Sequence, residues 1–486
     1  MSDLIWSAIA PEILLVIVAS LVLVVEVWKR PPLKSMAWLI GAGLVGTWAA
    51  WFLQFSRLQD LMELGSPGTL AFNNMVVSDG TAVIAELILL VILTLGVAMA
   101  WPMLDEVGRR SAETLVLMFL ATSGFMFLVA SANLVMAFIG LEVGSISLYV
   151  LAAIARKSRL ADEAAMKYFL LGSFASAVFI YGVALLYAGS GSVSIDALAV
   201  FNGRIIISPG VLYVSMAMLV VGVLFKVTAA PFHAWAPDVY QGSAAGVVGF
   251  MAASAKVGGF VALVRIVGIT FARFEVDWRP ALAAIAALSI VLGTLLALSQ
   301  TDFRRMLAYS GVAHAGFILV GVTAGRSATE AILFYLAVYT VQLVAAFGIA
   351  AAVSGPTSSG SPFSSYKGLA SRSPLMAAGL AVTMLGMSGM PITSGFIGKL
   401  GVFRSAWAQG LEWVVVVALV ASVAAFFFYL RVIVDMYMRD VDEDTAEVPD
   451  EPRLAGRLAI AVAVVITILF GLYPAPLLDL IRNVVS

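Results

Sequence analysis

Residues 221–260 read VGVLFKVTAAPFHAWAPDVYQGSAAGVVGFMAASAKVGGF and place two lysines and a histidine in a chain that is otherwise lipid-soluble. Lys226 follows the apolar segment 211–225 and precedes Pro231 by five residues. Its ammonium therefore sits within a span, where an ionisable group marks a functional site by default. Pro231 has no N–H for the carbonyl of Val227, so a helix entering this stretch breaks and leaves a backbone acceptor about one turn from the lysine. Irregular backbone at membrane depth survives only when buried in protein or lining a watery cavity. The stretch predicts a polar site inside a helical membrane bundle, built on a broken helix.

The rest of the chain agrees with that class. It has 486 residues, of which 62% are hydrophobic and 12% charged, and its mean hydropathy is +1.03. Such a composition belongs to an all-α polytopic membrane protein. A net charge of −1 argues against nucleic acid or an acidic lipid surface as the main partner. The absence of cysteine removes disulfides, cysteine-ligated iron–sulfur clusters and thiol nucleophiles, and two histidines are too few for a haem or zinc cluster. The opening MSDLIWSAIAPEILL has neither a basic flank nor a small-residue cleavage site, so the first span is expected to be a retained helix.

Apolar runs predict about fourteen spans, at 4–28, 36–55, 79–101, 111–130, 133–155, 163–188, 209–229, 243–270, 280–300, 305–324, 328–353, 373–400, 412–438 and 456–482. Residues 56–78, 189–208, 355–372 and 440–451 read as surface connections. Lys29, Arg30, Lys34, Arg109, Arg110, Arg156, Lys157, Arg159, Arg304, Arg305, Lys367, Arg372, Arg439, Arg453 and Arg457 fall on one side of these spans. Arg57, Arg204, Arg273, Arg279, Arg326, Arg404 and Arg482 fall on the other. The positive-inside rule makes the first side cytoplasmic and puts both termini outside.

The twelfth span, TMLGMSGMPITSGFIGKLGVF, carries Pro391 before Lys399, as the seventh carries Lys226 before Pro231. Five steps separate the two, an odd number, so the broken helices run in opposite directions. Paired broken segments point to inverted repeats around an ion path. The organisation expected is three N-terminal spans over 1–110, a first repeat over 111–270, a second over 280–438, and an acidic loop with a C-terminal helix over 439–486.

Each charged candidate has a bland alternative. Glu142 lies between Gly140 and Gly144, with Ser145 and Tyr149 on its helix face; it is either a relay carboxylate or a protonated acid that bonds a neighbouring helix. Glu113 either joins it or merely opens its helix, where acidic residues are favoured. Lys167 follows Glu163 by four residues, as an ordinary helix pair would. Lys256 sits among small residues that allow close helix packing, which favours a functional role. His233 and His314 suit proton transfer near neutral pH or simple hydrogen bonding. Asp435 and Arg431 read as a structural pair, and Glu86 has no obvious partner. Gly41, Gly43 and Gly46 match GxGxxG without a preceding strand and read as helix-packing glycines. Asp440, Asp442, Glu443 and Asp444 lack calcium-loop spacing.

The strings FKVTAAPFHAWAPDVYQG (225–242), LEVGSISLYVLA (141–152), EAAMKYFLLGSFASA (163–177), DFRRMLAYSGVAHAGF (302–317) and GMPITSGFIGKL (389–400) resemble the antiporter-like membrane subunits of respiratory complex I. With PEILL at the start, the resemblance runs from about residue 11 to residue 401. It implies fourteen helices, two inverted five-helix repeats each with a broken helix, and one proton path on a central polar axis. On that path Glu142, Lys226, Lys256 and Lys399 would transfer protons, with Glu113, Lys167, His233 and His314 as secondary relay positions. Ile392 departs from the family, which often has a second proline there.

The resemblance further implies no cofactor in this chain, with NADH, FMN, iron–sulfur clusters and quinone on other subunits, and partnership with related antiporter-like subunits in a bacterial inner membrane. In the mechanism it implies, ionised Glu142 favours the charged form of Lys226 and burial favours the neutral form. A subunit of a multisubunit sodium/proton antiporter is the alternative, since such subunits share the fifth-helix glutamate and seventh-helix lysine. A non-pumping scaffold is a second alternative, although a scaffold has no need of midplane ammonium groups.

Overall fold

The computed structural model describes residues 5–29, 32–107, 110–154, 159–199, 209–355, 357–358, 360–440 and 453–485. Arg30, Arg109, Arg156, Lys157 and Arg204 of the orientation argument, and the acidic stretch beyond Asp440 with Asp442, Glu443 and Asp444, lie outside them.

Helices dominate. In chain order they are α1 (Ala10–Lys29), α2 (Leu33–Glu63), α3 (Gly80–Val107), α4 (Ser111–Val129), α5 (Leu134–Ala152) and α6 (Arg159–Ser190). A short α7 (Ile195–Ala199) precedes α8 (Pro209–Lys226), α9 (Ala236–Gly242) and α10 (Ala245–Arg265). Then come α11 (Glu275–Leu298), α12 (Phe303–Thr323), α13 (Thr329–Ser354), α14 (Leu369–Arg372), α15 (Pro374–Ser388), α16 (Ser394–Ala408), α17 (Glu412–Met438), α18 (Leu454–Leu472) and α19 (Ala475–Val485). Thirteen described helices are long and apolar enough to cross a membrane, and the broken pair α15–α16 supplies a fourteenth pass, as expected.

Burial separates the layers. The spanning portions of α10, α12 and α13 are almost wholly covered, whereas α1, α2 and α18 show most of their surface to the outside. The expected polar site lies in the covered layer. α10 and α13 have no polar stripe to turn towards water, and both are enclosed by other helices.

Three expectations change. Residues 56–78 are not an open loop: α2 runs on to Glu63 because Leu58 packs inward, and β1 (Gly68–Ala71) pairs antiparallel with β2 (Val76–Asp79). Asn73 and Asn74 turn that hairpin at φ 53° and 60°, a region asparagine tolerates. The run 456–482 is not one span, since the helix stops at Leu472 ahead of Pro474 and the amphipathic α19 follows. Of the three GxGxxG glycines only Gly43 packs closely, against Val18; a β-carbon at Gly41 or Gly46 would meet nothing within 4 Å.

Candidate functional site

Both broken helices stop before their prolines. α8 ends at Lys226 and the chain turns through Val227–Trp235 before α9; α15 ends at Ser388 and resumes as α16 at Ser394. Each break contains a non-glycine residue in the left-handed region, Thr228 at φ 63° and Ile392 at φ 80°. Such a conformation is uncommon outside glycine and strained for a β-branched side chain. Loss of the family's second proline at 392 therefore leaves the twelfth-span break intact.

Lys226, Lys256, His314 and Lys399 are all buried. Lys226 Nζ donates to the Tyr149 hydroxyl at 2.5 Å and lies 4.8 Å from that ring's centre. Tyr149 is on α5, two turns from Glu142. Glu142 Oε1 is buried without a hydrogen-bond partner. Tyr149, rather than a direct carboxylate contact, is thus what holds the Lys226 ammonium.

Lys256 Nζ donates to Val227 O at 3.1 Å, Thr228 Oγ1 at 2.7 Å and Gly311 O at 3.0 Å. Three donors meet three acceptors and no carboxylate takes part. α10 reaches the break because Gly259 has no side chain: a β-carbon there would lie 2.6 Å from Val227 Cγ1 and 3.6 Å from Lys226 Cβ. The two lysines are therefore brought to the same break from two helices.

His314 lies on α12 one turn beyond Gly311. Its Nδ1 is 2.9 Å from the Tyr335 hydroxyl and its Nε2 3.0 Å from the Tyr429 hydroxyl, and its ring stacks on Tyr339 at 4.2 Å. Tyr429 also bonds Ser310. Lys399 Nζ donates to Ser388 O at 2.8 Å and Ser422 Oγ at 3.3 Å, and stands 4.7 Å from the Phe317 ring centre. Gly311, His314 and Phe317 follow one another at three-residue spacing, so α12 strings Lys256, His314 and Lys399 along about 9 Å of its length.

The remaining candidates lie off this string. Lys167 is half exposed; it pairs with Glu163 at 2.6 Å and with Asp238 at 2.7 Å, and Asp238 in turn meets Arg305 at 2.8 Å. This ion network ties α6, α9 and α12 together. His233 faces Tyr309, with ring centres 6.3 Å apart, and its Nδ1 is buried without a partner. Glu113 is exposed in the first turn of α4. The expected Asp435–Arg431 pair is replaced: Asp435 pairs with Arg439 at 3.0 Å, while Arg431 donates to Gln300 O and covers Phe363. Among the described residues no group of three or more His, Cys, Asp or Glu is placed to hold a metal ion.

Sequence reading missed the hydroxyls. Tyr335 in FYLAVYT and Tyr429 in FFFYLRV are phenols inside apolar runs, and a buried phenol usually finds a partner; Tyr339 contributes its ring, its hydroxyl being buried without one. That was the available signal. Thr228 and Ser422 gave none, because hydroxyls in membrane segments commonly bond nearby backbone.

Residues 131–425 match the NADH:quinone oxidoreductase/Mrp antiporter transmembrane family. The NADH-quinone oxidoreductase subunit N of Parafrankia sp. (strain EAN1pec) is 39% identical over 98% of this chain and 94% of its own length. That of Mycobacterium tuberculosis (strain ATCC 25618 / H37Rv) is 44% identical over 77% of this chain and 72% of its own. A chain of respiratory complex I from Thermus thermophilus with bound aureothin has a TM-score of 0.79 at 30% identity, covering 96% of this chain and 98% of that one. Fold, broken helices and relatives agree: the chain belongs to the NADH:quinone oxidoreductase/Mrp antiporter family, among its NADH-quinone oxidoreductase N subunits.

Proposed function

We propose that the chain is a proton-translocating subunit of a bacterial NADH-quinone oxidoreductase, set in the inner membrane with both termini on the outer side, and that protons pass along Glu142, Lys226, Lys256, His314 and Lys399. Residues 111–270 and 280–438 form its two inverted units. The observation that carries this reading is the buried string on α12, in which Lys256, His314 and Lys399 share one helix face and none is neutralised by a carboxylate in contact.

The contacts support exchange. Neutral imidazole has one donor and one acceptor nitrogen, and the Tyr335 and Tyr429 hydroxyls can serve either role, so His314 can take a proton on one side and release it on the other. Lys226 gains from an ionised Glu142 and loses by burial; weakening the first by an electrostatic change at neighbouring subunits frees its proton. Moving one charge against the membrane potential takes about 2.3 kcal/mol per 100 mV. NADH, FMN, the iron–sulfur clusters and quinone belong to other subunits of the same assembly in this reading. Glu113, Lys167 and His233 stand at its margins, where neighbours or water would complete the path.

Copurification tests the assignment. The chain is expected with iron–sulfur and quinone-site subunits and with related antiporter-like subunits. Recovery in a small antiporter assembly instead, or sodium transport by the isolated chain in liposomes, would overturn it.

A further inference from the structure

Away from the α12 string, two carboxyls face each other inside the N-terminal helices. Glu12 of α1 and Glu86 of α3 are both fully buried, and none of their four oxygens has a hydrogen-bond partner. Their carboxyls neighbour each other, and Gln54 of α2 neighbours Glu86. Gln54 spends Nε2 on Ala8 O and Ser78 Oγ, both at 3.3 Å, and its Oε1 is a fifth buried acceptor without a donor.

Five acceptor oxygens with no donor among them do not make a stable interior. Two ionised carboxylates side by side in this setting are worse still, since like charges at close range do not both ionise. One proton resolves the site: a carboxylic acid becomes a donor to its neighbour. The amide of Gln54 suits either state, accepting from the acid through Oε1 or, turned over, donating Nε2–H to the carboxylate.

The charges nearby are accounted for. Asp79 of β2 acts on Glu86 through its charge but is held by Arg265 of α10 in two bonds, of 3.0 and 2.7 Å. On α4 the neighbour is Ser123, which donates to the backbone oxygen of Glu12 at 3.1 Å. Arg57 bonds Ser7 at the rim of an adjoining cavity of about 250 Å³ lined by Ser7, Ala8, Gln54, Arg57, Thr69 and Ser78. Gln54 thus borders both the cavity and the carboxyl pair, and it bonds Ser78 on the cavity wall.

We propose that Glu12 and Glu86 form a proton-binding site, separate from the lysine and histidine string, whose carboxyl pair takes up and releases a proton through the cavity between α2 and the β1–β2 hairpin, with Gln54 as the gate. In uptake, a proton from cavity water joins a carboxylate oxygen and hydroxide or buffer base is left behind; release is the reverse.

Infrared pH-difference spectra of the assembled complex test it. Wild type minus Glu12→Gln, and wild type minus Glu86→Gln, should each contain a protonated-carboxyl C=O band that shifts in heavy water and grows as pH falls. Gln54→Leu should keep the band, move it by removing its acceptor, and slow its hydrogen–deuterium exchange at least tenfold. Absence of the band at every pH means two ionised carboxylates, as for a bound cation, and overturns the proposal; so does a band that sodium abolishes. A band that never changes with pH overturns it in favour of a fixed neutral pair. If neither glutamine variant assembles, the Gln54→Leu comparison decides alone: identical band position and exchange rate in it and in wild type overturn the site.

Discussion

Lys256 Nζ donates to the carbonyl of Val227, the acceptor for which Pro231 supplies no N–H. The break in one helix is thereby joined to the ammonium of another. Loss of the proton would not strand the acceptors: Thr228 Oγ1 also donates to Val227 O at 2.6 Å, and Gly311 O lies within regular helix. An amine whose acceptors keep other donors can be charged or neutral at modest cost, which is what a relay requires.

Lys226→Arg separates charge from exchange. Arginine keeps a cation beside Tyr149 but is effectively never deprotonated. The variant is expected to assemble and to lose proton pumping at least about tenfold, a barrier some 1.4 kcal/mol higher. Acridine-dye quenching and quinone reductase rate in inverted vesicles, normalised to assembled complex, measure this, with Lys226→Ala as packing control. Full pumping by the arginine variant removes Lys226 from the relay.

At Lys256 the contacts predict a graded series. Lys256→Ala deletes the relay group and should strongly reduce coupled quinone reduction in an assembled complex. Thr228→Val removes one of three acceptors and should slow turnover by a smaller factor, since a hydrogen bond to a charged group contributes about 1.5–3 kcal/mol. Equal turnover in Lys256→Ala and wild type would show that the lysine is structural.

How far the sequence carried this differs by element. The span count and both breaks are legible because apolar length and proline act locally; the position of Pro231 alone makes Val227 O a free acceptor. Its occupant is not legible that way. Lys256 arrives from α10 because of Gly259, a packing fact between segments distant in sequence. Spacing pairs Asp435 with Arg431, yet Arg439 lies equally far along the chain in the other direction and takes it. The Glu12–Glu86 pair needed three dimensions outright, since 74 residues separate the two.

His314 is held by two phenols, and their removal should have unequal effects. Tyr429→Phe takes the partner from Nε2 and also from Ser310, whereas Tyr335→Phe takes only the Nδ1 partner. Pumping should fall more in Tyr429→Phe, with the complex assembled in both variants. His314→Gln, which keeps a donor and an acceptor but does not titrate near neutral pH, should assemble and pump poorly. Normal pumping in that variant would place the route elsewhere.

The last prediction concerns the second break rather than the relay groups. α16 begins so close to the end of α15 that a β-carbon at Gly395 would lie 1.9 Å from the Gly386 carbonyl oxygen. The obstacle is backbone on both sides, so no rotamer change relieves it, and overpacking of this kind costs about 1–3 kcal/mol or more. The same approach holds Lys399, one turn along α16, against Ser388 O. Gly395→Ala should therefore lower the amount of assembled complex on native gels, and the complex that remains should pump poorly because Lys399 is displaced. Gly41→Ala is the control: nothing lies within 4 Å of the position, and alanine favours the helix by about 1 kcal/mol. It should assemble and pump as wild type does. Wild-type assembly and pumping in Gly395→Ala would mean that the α15–α16 junction is wider than this contact describes.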